Sequence, residues 1–385
     1  MRSNNIIRVE AAGAGKTFNI CKDALELVER NKADKHVLIL SYTNRGVEAI
    51  NTEICKQNMG IIDSEIEVMT WYSFVLNELI KPYQSIMFGI NEIKSIDFTD
   101  AYGKINYKKT GTRERYITTN CDIKSNVVAE LALQINEKSQ GKVIKRLNKV
   151  YSHIFIDEVQ DMAGYDLNII EVLMRSDLAV TCVGDNKQAT FRTNNSTKNK
   201  SKSGTNVWDF FQKLILEEIV EVRKNLVSRR FNQEICSFAN EVYPNENNIS
   251  TMMKETTEHD GVILIKKKDI HQYYDYYKPI VLKYDRRTLT DGYQSFNFGE
   301  CKGMTFERVL IYPNGPFKDF LLKGKKIKTP QKYYVAATRA KYSIAFVVDV
   351  FPKNVEWLNR EELSIRNDKI EILRYCWSSK KERGD

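Results

Sequence analysis

Runs rich in Ile and Val alternate along this chain with stretches whose apolar positions recur every three or four residues. In the first part the order is IIRVEA, a helical pattern from Lys16 to Glu29, HVLILSY, a helix from Arg45 to Gln57, EIEVMTW, and a helix from Ser73 to Tyr83. Short continuous apolar runs separated by amphipathic helices are what a parallel sheet demands, because both its faces are covered and each strand is returned by a crossover helix. A polar, charge-rich stretch from Gln84 to Lys149 interrupts the alternation, which resumes with HIFIDE, a helix from Gly164 to Arg175, and LAVTCVGD. The segment RTNNSTKNKSKSGTN, residues 192–206, is poor in apolar residues and predicts a mobile loop. After a helix from Trp208 to Glu218 a second series follows: IVEVRK, a helix from Asn232 to Val242, VILIKKK, RVLIYP, a helix from Gln331 to Lys341, and SIAFVVDV. The pattern predicts an α/β chain of two domains. The first spans 1–206 with a small insertion at about 84–150, the second 207–385 with a short insertion at about 241–295.

A chain of 385 residues suffices for two separate cores. No apolar run approaches the ~18 residues that span a bilayer, and the N-terminal apolar stretch runs straight into a glycine-rich loop, unlike a signal peptide. A cytoplasmic protein without a membrane partner is expected. Its seven cysteines are scattered without C-x-x-C pairs and are expected to be reduced thiols. The 59 basic against 50 acidic residues give a net charge of +9, which favours a polyanionic partner. Lysine-rich runs at 142–149, 198–202, 266–268 and 323–328 either neutralise phosphates or form solvated faces.

Two motifs carry chemistry. EAAGAGKT, Glu10 to Thr17, follows a predicted strand and opens a helix, the context of a phosphate-binding loop. Gly13 and Gly15 allow backbone N–H groups to approach phosphates, Lys16 supplies charge at the β and γ phosphates, and the Thr17 hydroxyl holds Mg2+. Glu10 stands where the strict pattern has its first glycine. HIFIDEVQD then puts Asp157 and Glu158 at the end of a buried strand, where carboxylates are costly unless they meet a cation or do chemistry. Asp157 suits Mg2+ held through water, and Glu158 suits polarisation of an attacking water. Together the two motifs point to hydrolysis of a nucleoside triphosphate.

The run DEVQD, Asp157 to Asp161, resembles the superfamily 1A DNA helicases of the UvrD, Rep and PcrA type, and further matches fall in family order. SYTNR (Ser41 to Arg45) is similar to motif Ia, TWYSF (Thr70 to Phe74) to motif Ib, and VGDNKQATF (Val183 to Phe191) to motif III. SRRFNQEICSFAN (Ser228 to Asn240) is similar to motif IV, CKGMTFERVLI (Cys301 to Ile311) to motif V, and YVAATRA (Tyr334 to Ala340) to motif VI. The resemblance implies two tandem RecA-like P-loop NTPase domains with parallel sheets and short insertions, and an ATP-dependent 3′–5′ translocase or helicase on single-stranded DNA. It implies that Gln160 and Gln188 sense the γ-phosphate, that Arg230 and Arg339 neutralise charge developing during transfer, and that Gly303 lies at the nucleotide. It also implies strand contacts from Tyr42, Thr43, Asn44, Thr70 and Phe191, with Tyr42 and Phe191 stacking on bases.

The departures from the family pattern are specific. Relatives recognise adenine with a segment well upstream of the loop, whereas the given sequence starts about ten residues before it, so ATP preference rests on the resemblance. Where relatives flank the base with an arginine after the loop and a tyrosine in motif IV, this chain has Phe18 and Arg229, a reciprocal exchange that still supplies one ring and one guanidinium. Thr305 replaces a ribose-contacting glutamate, and Thr193 a motif III tryptophan. The gap from Glu241 to Ser295 is too short for the large insertion of full-sized relatives, so translocation is a firmer expectation than unwinding. RNA stays open as a substrate. The alternative is an ATP-gated regulatory subunit beside a nuclease in an antiphage defence complex such as Gabija.

Overall fold

The structure is a computed structural model that describes residues 4–30, 35–61, 63–89, 93–99, 108–193 and 196–376. Parts of the polar stretch at 84–150 and of the loop at 192–206 lie outside the described residues. The chain divides into two compact units, one comprising Met1–Glu10 and Gly15–Asn225, the other Ala11–Ala14 and Leu226–Asp385.

Strands of the first unit are β1 (Asn5–Glu10), β2 (His36–Ser41), β3 (Ile66–Thr70), the short parallel pair β4 (Ile96–Asp97) and β5 (Ile123–Lys124), β6 (Tyr151–Ile156), β7 (Ala179–Gly184) and β8 (Val220–Asn225). Six of them form one parallel sheet in the order β3-β2-β6-β7-β1-β8. Its core draws on Ile20, Cys21 and Ala24 of helix Lys16–Arg30, Ile50 and Ile54 of helix Asn44–Gln57, and Val37, Ile39, Phe155 and Val183 of the strands. Between Trp71 and Tyr83 the chain passes from α-helix through a π-helical stretch, Val75–Ile80, to a 3-10 turn. The wide stretch closes with the Lys81 amide bonded to the Leu76 carbonyl, five residues back.

Two expectations are corrected here. IVEVRK does not open the second half: it forms β8, whose Val220–Asn225 pair in parallel with Asn5–Glu10 of β1. The boundary expected after Asn206 therefore falls after Asn225. Within the polar stretch expected as an insertion, helix Val128–Lys138 buries Val128, Ala129, Leu131, Ala132 and Ile135. Its Glu130 is buried too, held by two bonds from Arg115 (3.0 and 2.7 Å) and one from the Tyr116 hydroxyl (3.0 Å).

Asn5 ties three elements together. Its amide donates to the carbonyls of Met174 (2.8 Å) and Ile219 (3.0 Å), and its carbonyl accepts from the Val180 amide (3.0 Å). Removing a partner from buried polar groups costs about 1–3 kcal/mol for each group left unsatisfied. Asn5→Ala is therefore expected to lower stability by about 2–4 kcal/mol in a denaturant melt, and an unchanged midpoint would show that this linkage is dispensable.

In the second unit the strands are β9 (Val227–Ser228), β10 (Ser250–Thr251), β11 (Gly261–Lys266), β12 (Ile280–Lys283), β13 (Ser295–Asn297), β14 (Phe306–Tyr312), β15 (Ala340–Val348), β16 (Leu358–Ile365) and β17 (Asp368–Tyr375). β9 and β10 pair alone, and the rest form one sheet in the order β13-β12-β14-β15-β11-β17-β16. The sheet is parallel from β13 to β11 and ends in the antiparallel β16–β17 hairpin. The insertion expected at about 241–295 is corrected, because this span contains β11 and β12, whose VILI and VL residues are fully buried sheet core. The last helix ends at Ala337 rather than Lys341, since Thr338 turns its hydroxyl back onto the Tyr334 carbonyl and β15 starts at Ala340. Two tandem α/β sheets of the RecA-like kind are thus present, the first wholly parallel and the second parallel except for its terminal hairpin.

Candidate nucleotide and strand sites

In a parallel sheet the crevice at the carboxyl ends of the strands is where ligands bind. Most candidate residues of the first unit follow such an end. β1 leads into the phosphate loop, β2 into Tyr42–Asn44, β3 ends at Thr70, β6 leads into Asp157 and Glu158, and β7 into Asp185–Gln188.

Within the loop Gly13 and Gly15 have φ of 76° and 90°, a region that side chains disfavour. Lys16 and Thr17 are the first residues of the fifteen-residue helix, where unpaired N–H groups and the helix dipole attract anions. Glu10 is buried and accepts a bond from Asn19 (3.3 Å). Burial pushes its carboxyl above the ordinary value, while the charge of Lys16 pulls it down. Phe18 on the same helix is exposed, and its carbonyl accepts from Gln57 (3.1 Å).

The acidic end of β6 is tightly organised. The Asp157 carboxylate accepts the Glu158 amide (2.9 Å). Glu158 itself sits at φ 55°, left-handed backbone that a glutamate rarely adopts, and such strain concentrates at functional sites. Gln160, fully buried, donates to the Glu158 carboxylate and accepts the Asp185 amide at 3.0 Å. Gln188 donates to Asp185 (2.9 Å). Asp157, Glu158, Gln160 and Gln188 are therefore joined in one chain of contacts. Asp185, which sequence reasoning passed over, is its link; an aspartate directly after a buried strand was the available signal. Gly184 makes room for the Gln160 side chain, since a Cβ there would meet the Gln160 Oε1 at 2.4 Å.

A nucleoside triphosphate with a divalent cation fits this donor set, which offers an ammonium, backbone N–H groups, a hydroxyl and a carboxylate. Among the described residues no three His, Cys, Asp or Glu converge as a metal cage. A hard cation would be held by Thr17, Asp157 and phosphate oxygens, the arrangement Mg2+ favours.

Thr43 and Thr70 cap the helices that follow them. The Thr43 hydroxyl accepts the Gly46 amide (3.0 Å), and the Thr70 hydroxyl accepts the Ser73 amide (3.1 Å). With Tyr42 and Asn44 they line an open groove of about 590 Å³, together with Tyr72, Asn77, Lys94 and Phe98. Tyr72 rests between rings, 6.2 Å from Tyr42 and 5.2 Å from Phe98 between centroids. Phe191 is exposed but does not line this groove. Tyr72 and Phe98 were missed: the first lay unremarked inside TWYSF, and the second is an isolated ring in a charged stretch with no periodicity to mark it.

In the second unit Arg229, Arg230 and Gly13 come together. The Arg229 amide donates to the Gly13 carbonyl (2.8 Å), leaving its side chain exposed, and a Cβ on Gly13 would meet that of Arg230 at 2.6 Å. Arg230 and Arg339 meet at Thr338, the first donating to its carbonyl (3.0 Å), the second to its hydroxyl (3.1 Å). Arg339 is buried, with two further bonds to the carbonyls of Val335 (2.9 Å) and Met304 (3.0 Å). It thus braces motif V against motif VI. Arg339→Ala is expected to cost about 1–3 kcal/mol of stability besides any turnover, because the buried Val335 carbonyl and the half-buried Met304 carbonyl lose their donor; an unaltered thermal midpoint would refute the bracing. Gly303, at φ 84°, and Thr305 are exposed.

A family model described as an AAA domain matches residues 1–193, and one described as the viral superfamily 1 RNA helicase core domain matches residues 113–348. No curated protein matches the chain. Among solved structures, an arterivirus nonstructural protein 10, a helicase in complex with DNA, is similar at 15% identity and a TM-score of 0.45, over 91% of this chain and 62% of that one. The chain spans less than two thirds of that protein's length. Among the described residues no helix is long and apolar enough to cross a membrane. Because residues 113–348 make up more than half of the sequence, the chain belongs to the superfamily 1 helicases whose core that model describes.

Proposed function

We propose that the protein is an ATP- and Mg2+-dependent motor of the UvrD type that moves 3′ to 5′ along single-stranded DNA in the cytoplasm. What supports it is one arrangement: the phosphate loop, the acidic turn and the aromatic groove all leave the carboxyl edge of a single parallel sheet. Lys16 and Thr17 hold the phosphates and cation, Asp157 orients the cation, Glu158 polarises the attacking water, and Gln160 and Gln188 sense the γ-phosphate. Arg230 and Arg339 neutralise charge in the transition state. Tyr42, Thr43, Asn44, Thr70 and Phe191 hold the strand.

The test is steady-state ATP hydrolysis with no nucleic acid, single-stranded DNA, duplex DNA and RNA. Strong stimulation by single-stranded DNA is expected. Preference for RNA would assign the substrate named in the matched family's description. Turnover indifferent to all of them would favour the second reading, a module gated by a nuclease or other protein partner in antiphage defence.

Phe18 and Arg229 are proposed to flank the purine, contributing ring stacking and cation–π attraction. Arg229→Ala is expected to raise the ATP concentration for half-maximal turnover by about 5- to 30-fold, with maximal turnover changed far less. An unchanged requirement would sink the clamp.

A further inference from the structure

We propose that Phe98 supplies the base-stacking ring that Thr193 lacks, forming with Tyr72 and Tyr42 a subsite for one unpaired nucleobase. This rests on the single-strand motor reading and adds a residue outside the helicase motifs to it.

Thr193 stands where relatives carry a stacking tryptophan, and here it does a different job. Its amide donates to the Asp161 carbonyl (2.9 Å), its hydroxyl accepts the Ala163 amide (2.8 Å), and its carbonyl accepts the Tyr72 hydroxyl (2.5 Å). Thr193 thereby fixes Tyr72 in the groove. Phe98 meets Tyr72 edge-on, with rings at 88°, and 52% of the residue remains exposed. About half of this apolar residue thus stays in water while its ring packs against Tyr72, in the groove that Tyr42 also lines. Its backbone is set by the turn that follows β4, where the Asp97 carboxylate accepts both the amide (2.8 Å) and the hydroxyl (2.7 Å) of Thr99. Lys94, from the same segment, lines the groove and gives a phosphate a cation.

A nucleobase matches this site because it offers a flat π-face without needing a particular hydrogen-bond pattern. Bases inside a duplex have both faces covered by their neighbours, so the ring selects unpaired strand. Its contribution carries no charge and persists at salt concentrations that weaken the lysine contacts.

The test measures binding of two labelled oligomers of about 15 nucleotides, an oligothymidylate and an abasic oligomer of equal length, by fluorescence anisotropy. Phe98→Ala should bind oligothymidylate about 5- to 100-fold more weakly than the natural protein. Phe98→Tyr should restore the affinity, the abasic oligomer should bind Phe98→Ala and the natural protein alike, and thermal melting should confirm that both variants fold. Equal affinity of Phe98→Ala and the natural protein for oligothymidylate would overturn the inference alone, as would the same loss on the abasic oligomer. Failure of the natural protein to bind either oligomer would overturn the strand reading, and the subsite with it.

Discussion

Glu158→Gln is expected to lower maximal ATP turnover by about 10²- to 10⁴-fold, the range over which a positioned general base contributes. The substitution keeps the shape of the side chain and removes its negative charge, so water can still be held but no longer polarised. Nucleotide and strand affinity should stay near those of the natural protein, because Lys16, Thr17 and the groove are untouched. Turnover with saturating single-stranded nucleic acid and anisotropy binding separate the two quantities. The left-handed backbone at Glu158, with φ of 55°, favours glutamine as the replacement, since the two side chains differ little in how they tolerate this region. Turnover within a factor of a few of the natural protein would dismiss Glu158 as the base.

Lys16→Ala is expected to fail differently. Its ammonium stands at the start of a helix and is the cation that would meet the β and γ phosphates, so both ground state and transition state lose an electrostatic partner. Turnover should fall by about 10²- to 10³-fold and nucleotide affinity should drop with it. The Glu10 carboxyl offers an internal check, because Lys16 is the strongest influence opposing its burial-driven rise. In Lys16→Ala that carboxyl should titrate higher still than in the natural protein, a shift readable by NMR. A fully active Lys16→Ala variant would remove the phosphate loop from the mechanism.

The motifs were legible because each occupies few consecutive residues with a local geometry of its own. A glycine loop before a helix and two carboxylates after an apolar run keep their meaning wherever the strand lies in the sheet. The sheet partner of a strand is a different matter. IVEVRK alternates as an edge strand should, yet whether it flanks β1 or begins another sheet depends on residues more than two hundred positions away. Asn5 reads as an ordinary polar position until the carbonyls of Met174 and Ile219 are brought beside it. Arg339 was legible as a cation in motif VI, but its inward turn onto Val335 and Met304 was not, since sequence gives a side chain's charge and not its direction. The β16–β17 hairpin was missed because Arg360, Glu361 and Glu362 break the apolar alternation, and its apolar rhythm emerges only once the two strands are paired.

The π-helical stretch from Val75 to Ile80 gives the strand groove an unusual kind of dependence. Leu76 and Asn77 line that groove, and they do so from a turn wider than the α-helix before it. A wide turn of this kind holds surplus chain, so deleting a single residue from it would let the segment rewind as regular α-helix. Every remaining side chain would keep its chemistry, yet Leu76 and Asn77 would rotate relative to Tyr42 and Thr70. Part of the groove's shape is thus encoded in the length of the polypeptide rather than in the identity of any residue, and a scan of point substitutions alone would never uncover it.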